Sequence, residues 1–270
     1  MSEEKNEMSA LEKRLLASRK ILAKTGKSPQ QLAEENKLKV INWIYLWGYT
    51  TPSIVQSLLN RTSAGYAKRL AETGSLNATK SASGTPAKFF TLSRQGLELA
   101  EYYTIKQFRY PEVDPQKVDQ RLIRHNLISQ IATVNLLNAE AIQGYETERM
   151  FSMNGDQPNI KRPDVVWHLK NGLWVAVEIE LSGKWDRDLD KFIFEIIQAL
   201  KSDGNNIAKL DRFAIVSDSP ALQQRYSEAM QPNVSLKIWQ KNNRQHWEIK
   251  ETIQIPDWLI TKVDFHLMEH

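Results

Sequence analysis

The 270-residue chain contains no cysteine. That excludes disulfides, thiolate-bound zinc, iron–sulfur clusters and thiol nucleophiles together. No apolar run reaches the roughly 18 residues that a membrane span needs. There is no internal repeat and no low-complexity tract. The N-terminal stretch MSEEKNEMSALEKR lacks an apolar signal region, so secretion is not expected. Together with the missing cysteines this gives a cytoplasmic expectation. What is present has a globular balance: 41% hydrophobic and 25% charged residues, enough apolar material for a sizeable core. The net charge of +4 is unevenly distributed. Residues 1–110 carry 17 Lys and Arg against 9 Asp and Glu, a net +8, and residues 111–270 carry 19 against 23, a net −4. A basic half joined to an acidic half predicts a nucleic-acid-binding part and a part with another task.

Residues 1–37 are polar, with Leu11, Leu15, Leu16 and Leu22 at near-helical spacing and a break near Gly26–Pro29. They read as an N-terminal helical extension. The next stretch has a regular grammar. VINWIYLWGY (40–49) is a short apolar helix, and Thr51–Pro52 caps and opens a second helix over 52–60. Ser63 is a candidate cap for a third helix over 64–74, ended by Gly74. SLNATK and AKFFTLS flank a Gly/Pro-containing tip and read as a hairpin, and RQGLELAEYYTI returns to helix. This order resembles a winged helix-turn-helix, including the exit FFTLSRQGLELAE. That resemblance implies a DNA face built from Arg61, Tyr66, Lys68 and Arg69, with Lys80 and Lys88 flanking the wing.

A segment with two prolines, KQFRYPEVDPQK, places a boundary near 110, giving domains 1–37, 38–110 and 111–270. In the last, 118–144 reads as one long amphipathic helix ended by Gly144. YETERMFS follows, then a polar loop NGDQPNIK. RPDVVWHL and LWVAVEIEL are joined at Asn171–Gly172, a strong hairpin signal. Helices over 185–200 and 222–230 and strands over 212–217, 235–240 and 246–251 complete an α/β (α+β) domain with a mixed sheet.

The chemistry concentrates in RPDVVWHLKNGLWVAVEIELSGK. Strand alternation puts Glu178 and Glu180 on one face, and a hairpin brings Asp164 beside them. Clustered carboxylates repel unless a cation or protons neutralise them. With no Cys and no paired His, hard oxygen donors point to Mg²⁺ or Mn²⁺, ions that can activate water against a phosphodiester. Two other signals fail. TGKS (25–28) lacks the upstream glycine and strand of a phosphate loop. His266 and His270 read as a C-terminal tail. Trp43, Trp47, Trp167 and Trp174 read as packing residues.

The sequence resembles the PD-(D/E)xK nuclease superfamily through Pro163–Asp164 and the acidic strand, with Glu180 where that family carries lysine. More narrowly, E-x-E-x-S-x-K behind a PD strand and an N-terminal winged helix is similar to the replication–relaxation family. Within that family it resembles the MOBC-class plasmid mobilisation relaxases. The resemblance implies a restriction-endonuclease-like catalytic domain that nicks a plasmid transfer origin together with accessory mobilisation proteins. It implies Asp164, Glu178 and Glu180 as metal ligands, helped by the Ile179 carbonyl, with Glu180 alternatively orienting water. Lys184 would stabilise the scissile phosphate. His125 is a candidate base or phosphate contact, and Glu148, taken as lying on the preceding strand, a candidate fourth acid. Tyr102, Tyr103, Tyr110, Tyr145 and Tyr226 are available to hold a cut strand, and no motif singles one out. A non-catalytic winged-helix regulator and a two-strand restriction- or transposon-type nuclease are the alternatives. The Glu at 180 favours the regulator.

Overall fold

Ser28 and Gln31 form a capping box that starts a helix immediately after the Gly26 turn, with Pro29 in its first turn. Nothing in QQLAEENKLK breaks that helix. The computed structural model, which describes residues 10–104, 107–108, 114–151, 161–201 and 210–268, therefore joins the expected extension and the apolar 40–49 segment into one element. The N-terminal elements are α1 (Ala10–Thr25), α2 (Pro29–Trp47), α3 (Pro52–Leu58), α4 (Tyr66–Glu72), β1 (Leu76–Lys80), β2 (Lys88–Leu92) and α5 (Arg94–Tyr103). Thr51 and Ser93 cap α3 and α5 through their hydroxyls. Ser63 does not cap α4: its hydroxyl accepts from Gly65 N–H inside the preceding turn, and the helix starts two residues later than expected. β1 and β2 pair antiparallel, with Lys80 opposite Lys88. Gly96 lies where α5 crosses this hairpin. A Cβ there would meet the Ser75 carbonyl oxygen at 2.1 Å, so only glycine permits the approach.

The remaining elements are α6 (Ile123–Asn138), β3 (Ile142–Thr147), α7 (Glu148–Phe151), β4 (Val165–Leu169), β5 (Trp174–Glu180), α8 (Asp186–Leu200), β6 (Arg212–Ser217), α9 (Pro220–Ala229), β7 (Ser235–Lys241), β8 (Trp247–Gln254), α10 (Leu259–Lys262) and β9 (Val263–Leu267). The expected helix over 118–144 is shorter at both ends. Asp119 caps a 3-10 turn before α6, and Glu140, in the left-handed region, ends the helix well before Gly144. Gly144 belongs to β3. Glu148 opens α7 rather than lying on a strand. His266 is a sheet residue opposite Val216, not a tail. Tyr110, His270 and most of the 154–161 loop lie outside the described residues.

The main sheet has the order β3-β4-β5-β6-β9. β3, β4 and β5 run antiparallel through the Asn171–Gly172 hairpin, and β5, β6 and β9 run parallel. The class is mixed α/β. Arg212 on β6 grips Asp264 on β9 with both guanidinium arms, at 2.8 and 2.6 Å. β5 is buried on both faces, as a central strand with parallel pairing requires. Val175, Val177 and Ile179 face α6 and the N-terminal helices, and Ala176 faces α8 and α9. The apolar core of α2–α5 is continuous with this first face of the sheet.

Gln130, fully buried on α6, joins the two parts. Its Oε1 accepts from Trp43 Nε1 at 2.8 Å and Thr50 Oγ1 at 3.0 Å, and its Nε2 donates to the Tyr49 carbonyl at 3.0 Å. Thr147 Oγ1 adds a bond to the Leu46 carbonyl at 2.7 Å. Orphaning buried partners costs more than the bonds are worth. Gln130→Leu is therefore expected to lose about 3 kcal/mol of unfolding free energy in a denaturant titration. A loss below about 1 kcal/mol would show that water replaces the amide.

Candidate active site

Asp164 stands at the entry to β4, where its N–H donates to the Val177 carbonyl at 3.0 Å and extends the hairpin ladder. Its Oδ2 turns across to β5 and accepts from Ile179 N–H at 2.8 Å. The strand pairing that the hairpin dictates thus delivers Asp164 to the end of β5. Glu178 and Glu180 share the β5 face that packs on α8, and both are buried. These three carboxylates meet in a cleft of about 430 Å³ at the C-terminal end of β5, lined also by His125, Lys161, Ile179, Ser182 and Lys184, with Arg121 and Arg124 at its edge. Crevices beyond the carboxyl ends of parallel strands are where α/β sheets place ligands.

Each buried carboxylate has a cation. Lys161 Nζ lies 2.8 Å from Glu178 Oε2. Lys184 Nζ pairs with Glu180 Oε1, while Glu180 Oε2 accepts from Tyr226 OH at 3.0 Å. Both ammonium groups sit over the Phe192 ring of α8, at 5.6 and 4.5 Å from its centroid. His125 Nε2 is 3.1 Å from Asp164 Oδ2, and its Nδ1 is 3.0 Å from Asn126 Oδ1. Burial works against a charge on His125, but the hydrogen bond and negative charge of Asp164 outweigh it and raise the imidazole to about 9. Burial pushes the Glu178 carboxyl well above the usual range and the Asp164 charge adds to this, against the pull of Lys161. Burial also opposes the charge on Lys161, yet Glu178 more than restores it and holds the ammonium above its ordinary value. Arg124 is engaged at the rim by Asp218, 2.5 Å away at the end of β6, and Arg121 by Asp119 at 2.7 Å.

The cleft brings together Asp164, Glu178, Glu180, Lys184 and His125. Held as an imidazolium, His125 suits a phosphate contact rather than a base. Glu148 is not part of the site: its exposed side chain is absent from the cleft lining, although its N–H donates to the Asp164 carbonyl at 3.1 Å. Of the tyrosines, Tyr226 reaches the carboxylates, and burial first, then the Glu180 charge, raises its phenol far above the ordinary value. Tyr145 packs against Trp43 and Trp47, and Tyr102 and Tyr103 are exposed on α5. Lys161 and the anchoring role of Tyr226 were not legible in sequence. Lys161 closes a polar loop with no spacing rule to the acids, and Tyr226 sits in an ordinary amphipathic helix.

The donor set fits a hard divalent ion. Glu178 Oε1 is buried with no hydrogen-bond partner among the described residues, and Asp164 and Glu178 both line the cleft with oxygen donors. Among the described residues no group of three or more His, Asp and Glu is placed to hold an ion unaided. One or two carboxylates, completed by water and substrate phosphate, is the usual coordination of Mg²⁺.

The N-terminal basic residues are arranged differently from the expectation at one position. Tyr66 is buried, its OH bonded to the Ala33 carbonyl at 3.2 Å, because it shares the inward face of α4 with Ala67 and Leu70. It supports Arg61 and Arg69, whose guanidinium groups lie 4.4 and 4.8 Å from its ring centroid. Arg61, Lys68, Arg69, Lys80 and Lys88 are exposed. Lys80 and Lys88 face each other across the hairpin with no acidic partner among the described residues. Like charges so placed are unfavourable unless an anion lies between them.

Removing Lys161 leaves the Glu178 carboxyl buried without its cation. Lys161→Met is expected to lower unfolding free energy by about 3 kcal/mol at neutral pH, read by urea denaturation. An unchanged midpoint would mean that Glu178 is neutral in the folded protein. No protein-family model matches the chain, and no curated protein matches it significantly.

Proposed function

We propose that the chain is a metal-dependent DNA nickase, in the manner of a plasmid mobilisation relaxase acting at a transfer origin with accessory mobilisation proteins. The observation that carries this reading is the meeting of Asp164, Glu178, Glu180 and Lys184 in one cleft at the end of β5. The antiparallel-then-parallel sheet with the acid at the start of β4 and the acid pair at the end of β5 agrees with a PD-(D/E)xK arrangement. The Lys184 ammonium, folded back onto Glu180, stands in for the lysine which that arrangement carries at position 180. In the N-terminal part, three helices, a hairpin and a helix agree with a winged helix presenting Arg61, Lys68, Arg69, Lys80 and Lys88 to double-stranded DNA.

Asp164 and Glu178 would hold Mg²⁺ or Mn²⁺, with Glu180 held ready by Lys184 and Tyr226 to orient water. The bound ion would supply an activated water and a charge clamp on the phosphate. Lys184 and the His125 imidazolium supply fixed positive charge for the phosphodiester oxygens. Tyr226 keeps Glu180 in place and out of bulk water.

A second reading is a non-catalytic DNA-binding regulator. It is favoured by the pairing of both buried glutamates with lysines, which neutralises them without an ion. Supercoiled plasmid carrying the protein's own neighbouring sequence separates the two readings. The nickase is expected to give open circles only with Mg²⁺ or Mn²⁺, and Glu178→Ala to abolish this. No cleavage with site-specific binding retained would establish the regulator, and linear product a two-strand nuclease. For the DNA face, Lys80→Gln with Lys88→Gln is expected to weaken duplex binding uniformly across sequences. It should also reduce the slope of log K against log salt by about 2, measured by fluorescence anisotropy.

A further inference from the structure

Trp185 follows Lys184 directly and is 63% exposed, whereas Trp43, Trp47 and Trp167 are buried. Its ring is nevertheless held. The Arg225 guanidinium lies 3.5 Å from the ring centroid. That guanidinium is itself fixed, because its Nε donates to the Lys184 carbonyl at 3.1 Å. Gly183 leaves room along the ring edge: a Cβ there would stand 3.3 Å from Trp185 Nε1. One face of the indole is therefore covered by an anchored cation and the other is open to solvent. A ring already immobilised loses little further freedom when something stacks on it.

The arrangement continues along the start of α8. Arg187 and Lys241 lie 4.8 and 5.4 Å from the ring centroid of Trp247, which is 44% exposed on β8. Open indoles interleaved with cations are what single-stranded nucleic acid uses, with bases on the rings and backbone beside the charges. Asp186 and Asp188 sit in the same turn, and Asp188 takes Arg187 at 3.1 Å. The local charge is thus largely balanced, so affinity here must come from stacking more than from counterion release. A paired base inside a duplex has no free face to offer.

We propose that Trp185 is the stacking platform for an unpaired nucleobase adjoining the phosphate in the cleft. The proposal rests on the nickase reading only for the position of that phosphate. Its test uses the full chain with EDTA present and two probes, a fluorescein-labelled 12-nucleotide single strand and its duplex. Trp185→Ala is expected to weaken single-strand binding about ten- to hundredfold and to leave duplex binding and thermal unfolding unchanged. Trp185→Phe, which can still stack, is expected to restore most of the affinity. The platform is overturned if Trp185→Ala binds the single strand like wild type, if both probes are lost equally, or if Trp185→Phe behaves like Trp185→Ala. Because binding is read without metal, a protein that never nicks plasmid still tests the platform. Conversely, metal-dependent nicking beside unchanged Trp185→Ala binding removes the platform and leaves the nickase reading intact.

Discussion

Two glutamates buried on one face at the end of a central strand are the constraint around which this molecule is arranged. A buried carboxylate costs several kcal/mol unless it is paired and hydrogen-bonded. Glu178 and Glu180 sit between flanking strands of the same sheet and cannot turn to solvent. The chain brings its compensation from four directions: Lys161 from before β4, Lys184 from the turn after β5, Tyr226 from α9 and His125, through Asp164, from α6. Phe192 of α8 supports both ammonium groups. Packing and electrostatics are therefore the same problem here. The helices that cover the sheet also brace its acidic end, through Phe192, Tyr226 and His125, while the neutralising lysines come from the segments flanking β4 and β5.

The resulting balance has a chemical character of its own. Three carboxylates face two lysines and an imidazolium, so the cleft is close to neutral with all its partners at home. A phosphodiester entering alone would meet the carboxylates, and a divalent cation entering alone would meet the lysines. Under the proposed reading the two ligands would favour each other: Asp164 and Glu178 would hold the cation, which would free the Lys161 ammonium for the phosphate, while Lys184 and Tyr226 keep Glu180 in place. The same balance without any ligand is what makes the regulator reading physically coherent.

Much of this was legible in residue patterns, for identifiable reasons. Asn171–Gly172 forces a tight turn, and alternation on either side of it puts Asp164 within reach of Glu178 and Glu180. Those are local rules, and the structure follows them. The legibility ends where tertiary packing decides. Gly144 suggested a helix end, but Glu140 adopts the left-handed conformation first and the glycine falls in a strand. Tyr66 looked like a DNA contact by helix position, yet its ring completes the core under α2. β9 lies beyond the last expected strand, and its five residues are held by pairing with β6 and by the Arg212–Asp264 clamp. Lys161 acquires meaning only once the loop before β4 is seen to end against Glu178.

The joint at Gln130 has a geometrical consequence. A flexible linker would let the basic hairpin wander relative to the acidic cleft. Here α2, the hairpin edge at Thr50 and α6 are tied through one amide, and the apolar core runs unbroken beneath them. Hairpin and cleft are thus held a set length apart. Under the proposed reading, a duplex gripped at the hairpin and processed at the cleft would be measured by that fixed length. The separation between what is recognised and what is acted upon would then be set by the fold as a number of base pairs, independent of the sequence lying between.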